Sequence, residues 1–257
     1  MALTTPRPAA SANPAAHARL SHPSSLPTAH ASPGIRHFEV AALRPDGSLM
    51  VKDFTTPALP LFESAFSAFA RGTVLQSDAG PVAIEDLQPG DHVMTAVGAP
   101  SEVVWIGSST FVPSDAGRRM PLVRIMADSF GMNRPANFVT VGPSARLLQT
   151  PQHLRAEFGG SQMLTPASAF VDGVNVIEVV PPTPVHLFHI CLRRHAAIIV
   201  GGLEMETFHP GANATRAVSH TLRDLFLSMF PHINHVTDFG ALAHPRAPEP
   251  PSGQTAA

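Results

Sequence analysis

The 257-residue chain is 44% hydrophobic, enough to bury the core of one large or two small domains, so a folded protein is expected. Charged residues make up only 14% and the formal net charge is −2, which leaves no broad basic field to neutralise nucleic-acid phosphates or to hold an anionic membrane surface. No apolar run reaches the roughly 18–20 residues of a bilayer span, and prolines and polar residues break "MALTTPRPAASANPAAH" before a signal-peptide apolar region can build, so the default expectation is a cytoplasmic protein.

Residues 1–34 are almost entirely Ala, Pro, Ser, Thr and His, with no acidic side chain. Such a mixture buries too little to offset the entropy of ordering, and the stretch reads as a disordered tail. Alternation starts at Ile35. In "RHFEVAALRPDGSLMVKDFT" two β-prone runs, 37–43 and 49–54, flank Pro45, Asp46 and Gly47, whose turn chemistry predicts a hairpin. "PALPLFESAFSAFA" then sets Leu61, Phe62, Ala65, Phe66 and Phe69 at helical spacing, which predicts a short linker helix closing a segment over 35–66.

Beyond that helix, brief strands recur around Val74, Ala83, His92–Thr95, Val103–Ile106 and Leu122–Ile125, and again over 138–141, 146–149, 174–180, 185–192 and 196–200. Regular spacing with Gly and Pro punctuation predicts an all-β domain. Asp86 to Gly90 reads as a tight corner, Pro89 fixing one dihedral and Gly90 permitting positive φ. Only "SHTLRDLFLSMFPHI" is clearly helical, with Leu222, Leu225, Phe226 and Met229 on one stripe, expected to pack on the β domain. Residues 246–257, "RAPEPPSGQTAA", read as a second disordered tail.

Phe69, Gly72 and Thr73, then Asp86, Leu87, Gly90 and Asp91, then Trp105, Ile106 and Gly107 follow one another in an order that isolated turns do not explain. This set resembles the opening of the Hint domain of hedgehog autoprocessing domains and inteins, in its bacterial form. A weaker likeness runs through "TPASAFVDG" and "HLFHICLRRHAAIIVGGLEMETFHPG". The resemblance implies a Hint domain over 67–211, a pseudo-symmetric, horseshoe-like β disc whose long strands bring the chain ends together, with the hairpin before it and a helical extension over 212–245 after it. It also implies an ancestry in self-cleavage. No cofactor and no metal are expected.

Cutting a peptide bond from within needs a thiol or hydroxyl beside the preceding carbonyl, a proton donor for the departing nitrogen and polar groups for the oxyanion. At the position where the family carries Cys or Ser this chain has Ala68, and a methyl group cannot attack. For the family's Thr/Ser-x-x-His turn two registers compete. "TPQH" supplies Thr150 and His153 literally. Alternatively "VTVGPSARLL" aligns as a whole strand-turn-strand unit, which puts Gly142 at the hydroxyl and Ala145 at the histidine and keeps the downstream spacing without an insertion. The second register is preferred; on it Ala68→Cys alone should not restore cleavage, and Ala68→Cys, Gly142→Ser and Ala145→His together should do better than the single change, provided the backbone still presents the peptide before residue 68. Inteins finish with a His-Asn pair, whereas here Gly202 is followed by "LEMETF", so C-terminal cleavage is not expected.

Two functions stay open at this point. The leading one is a degenerate autoprocessing domain kept as a binding or structural scaffold, with a protein as the conceivable partner. The other is an active self-cleaving domain acting by an N-to-O acyl shift through Ser67, assisted by Thr150 and His153; against it, Ser67 is one residue out of register. Cys191, in the apolar string "HLFHICL", is expected as a buried core residue. His186 and His189 lie three apart on a strand and point to opposite faces, which argues against a metal site with His195 and His209. Arg193, Arg194 and His195 read as a solvated hairpin turn, the alternative being that His195 belongs to the site because similar Hint sequences carry Arg-His there.

Overall fold

The computed structural model describes residues 34–112, 120–159 and 161–248, without the side chain of His153. Residues 1–33 and 249–257, most of the two expected tails, lie outside the described residues. Alternation in "IRHFEVAAL" becomes strand β1 (Ile35–Leu43) and pairs in register with β2 (Leu49–Pro57), the turn between them closed by the Asp46 carboxylate accepting from the Ser48 amide and hydroxyl. Helix α1 (Pro60–Glu63) starts on a proline, which suits a first helical position, and runs into a 3-10 turn over Ser64–Phe66. The expected helical stripe stops there. Phe69 is not on the helix but in β3 (Phe69–Ala70), where it pairs with Phe188 and Val141.

The remaining strands among the described residues follow in chain order. They are β4 (Val74–Ser77), β5 (Gly80–Ala83), β6 (His92–Met94), β7 (Pro100–Phe111), β8 (Leu122–Ile125), β9 (Val139–Val141), β10 (Arg146–Leu148), β11 (Leu164–Pro166), β12 (Val176–Val179), β13 (Val185–Leu192), β14 (Ala197–Val200) and β15 (Leu203–Glu206). Their antiparallel ladders run β11-β10-β15-β14-β4-β6-β7-β13-β3-β9-β8-β12, with β5 on β4 and the β1–β2 hairpin joined through β1 to β7. The fold is thus all-β, as the strand rhythm predicts. Before β6, Gly90 turns the chain at φ 104° and donates its amide to the Val103 carbonyl, the corner read from Asp86 to Gly90.

β7 is the hinge of the architecture. Its first residues pair with β6, and its remainder pairs with β13 on one side and β1 on the other. Because side chains alternate along a strand, Ile106 enters one apolar cluster, which includes Phe69, Val141 and Ile190, while Trp105 enters another, shared with Phe38, Phe62, Phe66, Phe208 and Phe230. Helix α2 (His220–Ser228), capped by the Ser219 hydroxyl at the Leu222 amide, buries Phe226 completely in the second cluster, and Met229 follows it there. The indole N–H of Trp105 donates to the Met229 carbonyl at 2.7 Å. No helix among the described residues is long and apolar enough to cross a membrane.

Arg246 and Ala247, which composition assigns to the second tail, are packed. They run parallel to β11, with the Leu164 amide donating to the Pro245 carbonyl and the Ala247 amide to the Leu164 carbonyl. Composition cannot foresee this, because one arginine supplies the anchor.

Candidate functional site

The site is built around the Ser67–Ala68 bond. Ser67 caps the 3-10 turn and β3 starts at Phe69, so the bond sits where the chain passes from one to the other. The Ala68 amide donates to the Phe188 carbonyl of β13 (3.0 Å), and the Ala68 carbonyl accepts from Gly142 (2.8 Å). The Ser67 carbonyl accepts from the Ser144 amide (3.2 Å), and one residue upstream the Phe66 carbonyl accepts the Ser109 hydroxyl (2.9 Å). The bond is therefore held by β13 on one side and by the turn after β9 on the other.

The turn joining β9 to β10, Gly142 to Ala145, closes over this bond. Of the residues singled out from sequence, the structure brings Ser67, Ala68, Gly142 and Ala145 together. The Ala68 and Ala145 side chains are 0% and 1% exposed and belong to the same apolar cluster. A Cβ on Gly142 would stand 2.1 Å from the Ser67 carbonyl oxygen and 2.8 Å from its carbon. Glycine is needed here for the close approach of one backbone to another. Ser67 is buried too, its hydroxyl donating to the Glu63 carbonyl (2.7 Å) and lying 3.3 Å from the Ser144 hydroxyl.

Thr150 is placed in the loop after β10, where its hydroxyl donates to the Ser161 carbonyl at 2.6 Å. The His153 side chain lies outside the described residues; its backbone belongs to a 3-10 turn over Gln152–Leu154. Sequence reading missed Ser109 and Ser144, which bind the carbonyls before and at the 67–68 bond. A serine in a turn and a serine on an apolar strand carry no signal of that kind.

Chemically, the arrangement can hold and polarise a peptide carbonyl with one backbone N–H. It lacks a nucleophile at residue 68, and the nitrogen of Ala68 faces an acceptor, the Phe188 carbonyl, which has no proton to give.

His195 departs from the solvated-turn expectation. Arg193 is exposed and pairs with Glu102, but His195 is buried, its Nε2–H donating to Glu206 (3.0 Å) while its Nδ1 accepts from the Ala243 amide. Arg246 adds its Nε and a terminal nitrogen to the same Glu206 oxygen at 3.0 and 2.8 Å, and Arg146 lies 3.5 Å from the other oxygen. Burial by itself would raise the Glu206 carboxyl, but the His195 hydrogen bond and the Arg246 charge outweigh it and hold the group below its ordinary range. His209 stands beside this network, its ring centre 5.1 Å from that of His195.

Cys191 is buried, as its apolar surroundings predict, and burial pushes its thiol up, away from the reactive thiolate. His186 is exposed and His189 buried, on opposite faces of β13. The His189 ring packs edge-on against Phe69 and Phe208, and burial drives it down to about 3. His232, lowered to about 4 by the same cause, acts with the same sign.

A histidine kept neutral in the fold contributes stability that is complete above its unfolded value near 6.5 and lost as pH falls toward the folded value. Going from pH 7 to pH 5 should therefore cost about 2 kcal/mol through His189 alone. Denaturant titrations at the two pH values measure this, and His189→Gln should flatten the difference. An unchanged difference in the variant would remove His189 as its source.

The family model Hint_2, described as a Hint domain, matches residues 67–212. Among solved structures, the MchDnaB-1 intein is similar at 14% identity and a TM-score of 0.36, covering 55% of this chain and 100% of the intein. A bacterial intein-like domain from Clostridium thermocellum is similar at 13% identity and a TM-score of 0.36, covering 56% of this chain and 99% of that domain. Likeness at this level says nothing about chemistry. No curated protein matches the chain. The family match extends over more than half of the 257 residues and takes in the Ser67–Ala68 bond, the β9–β10 turn and the β13–β15 strands alike, and on that match the chain belongs to the Hint domain family.

Proposed function

We propose that this Hint domain protein no longer cuts itself and serves as a binding or structural scaffold. The observation that carries the reading is the apolar filling around the Ser67–Ala68 bond, where the Ala68 and Ala145 methyl groups are fully buried and Gly142 is pressed against the Ser67 carbonyl. A cleavage site needs a nucleophile and a proton donor at those places. Ser67 is a poor substitute, because its hydroxyl donates to a main-chain carbonyl and, among the described residues, no histidine hydrogen-bonds to it. A scaffold role also fits a Hint domain flanked on both sides by ordered segments, 35–66 and 212–245, that pack with it. A partner of such a scaffold is expected to be a protein.

The purified chain should stay one species of about 27 kDa during prolonged incubation with dithiothreitol or hydroxylamine, since neither reagent has a thioester or ester to intercept. Intact-mass measurement checks this. A fragment starting at residues 67–69 would overturn the reading in favour of Ser67 chemistry.

A further inference from the structure

Residues 35–66 precede the family match, yet they are built into the sheet. Phe38 to Ala42 of β1 pair with Ser109 to Trp105 of β7. On the β7 face that carries Trp105, Gly107 and Ser109, each position receives part of this segment. The Phe66 ring stands 5.4 Å from the Trp105 ring. It fills the space over Gly107, where a Cβ would meet that ring at 2.5 Å. The Ser109 hydroxyl binds the Phe66 carbonyl. From the other side, Phe62 meets Phe226 of α2 at 6.2 Å, and Phe230 stacks on Trp105 at 4.6 Å. Phe38, Phe62 and Phe66 are at most 2% exposed.

A strand ladder joined to several fully buried aromatic side chains is the make-up of a lasting interface, because main-chain hydrogen bonds fix the register and apolar burial supplies the affinity. Nothing in it depends on a continuous backbone at residue 67. We propose that the Trp105 face of β7, closed over by α2 and the residues after it, is a binding site for residues 35–66 of the same chain, tight enough to hold them when the chain is cut beside the Ser67–Ala68 bond. Any cut there, by whatever agent, leaves the upstream segment in place. The Hint domain then acts as a retaining clamp for what lies N-terminal to it. This goes beyond the proposed loss of cleavage and holds whether or not the bond is ever cut.

The test uses the full chain with the recognition sequence of a site-specific protease inserted in the exposed turn at Arg71–Gly72, cut to completion and run on a sizing column at micromolar concentration. Denaturing mass analysis should show both pieces, while under native conditions they should elute together, with less than about a tenth of the upstream piece separating. Replacing Phe62 and Phe66 by Ala in the cut protein should raise the separated fraction at least about tenfold, as loss of two buried aromatics predicts. If the insertion at 71–72 prevents folding, residues 1–66 and 67–257 are produced as separate chains, refolded together and run on the same column, where co-elution is expected and separate elution overturns the proposal. Because the upstream piece also carries β3 (Phe69–Ala70), which pairs with β13 and β9, either separation of that piece from the protein cut at 71–72 or equal retention of the parent and the Phe62/Phe66 variant overturns the proposal.

Discussion

Glu206→Ala should lower the stability of the protein by about 3–5 kcal/mol, the cost usual for removing one partner of a buried ion pair. Glu206 is 3% exposed and receives His195 and two guanidinium nitrogens of Arg246, Nε and one terminal nitrogen, on one oxygen. Removing it takes away the carboxylate that Arg246 binds through one oxygen and Arg146 faces at the other. It also frees the segment from His244 to Ala247, which reaches β11 through Pro245 and Ala247 but is fixed by Arg246. For a chain of this size the melting temperature should fall by roughly 6–20 °C. Glu206→Gln keeps an acceptor and the volume, so it should recover part of the loss. Thermal melts of the two variants measure both. A drop of under about 1 kcal/mol for Glu206→Ala would show that solvent reaches this network freely. The depressed carboxyl adds to the acid sensitivity, since its contribution is present above the unfolded value and lost as pH falls through the folded one.

Gly142→Ser should destabilise the fold by about 3–5 kcal/mol and should not restore cleavage in combination with Ala68→Cys and Ala145→His. The sequence register that places Gly142 at a lost hydroxyl position treats the substitution as a repair. The geometry makes it a collision, because the new Cβ would lie 2.1 Å from the Ser67 carbonyl oxygen, a backbone atom that cannot swing aside. Making room means moving the β9–β10 turn, which breaks the Gly142–Ala68 and Ser144–Ser67 hydrogen bonds holding the bond to be cut. Ala145→His adds a ring where the present side chain is 1% exposed. Denaturant melts of Gly142→Ser alone, and mass analysis of the triple variant in dithiothreitol, test the two halves. A stable triple variant that forms a cleavable thioester would show that the apolar site is only a vacancy in an intact machine. Efficient cleavage from Ala68→Cys alone would instead favour Thr150 and His153 as the assisting pair.

Much of this molecule was legible in its sequence, for reasons local to each segment. Alternation in "IRHFEVAAL" marked β1 because side chains on a strand report which of its two faces is covered, and the apolar string "HLFHICL" marked β13 as a strand buried on both faces toward its end. Pro89 and Gly90 marked a corner through the backbone angles they allow. That residue 68 is where the family carries a nucleophile came from the resemblance; that Ala68 cannot attack needed only its identity.

What the sequence could not carry is which distant segment covers a given face. Beside the buried Met205, strand alternation points Glu206 outward, and it is inside only because Arg246, forty residues later, folds back over it. Likewise, alternation shows that Trp105 and Ile106 face opposite sides of β7, but only tertiary packing decided that the segments before and after the family match meet on the Trp105 side. Gly142 shows the same limit at the site. A glycine in a turn reads as freedom of φ, whereas here it is fixed by the Ser67 carbonyl pressed against it from the end of a 3-10 turn 75 residues away in the chain. Local pattern records a residue's own preference; the cost of burying a charge or of crowding a backbone depends on the neighbour, and the neighbour is chosen by the fold as a whole.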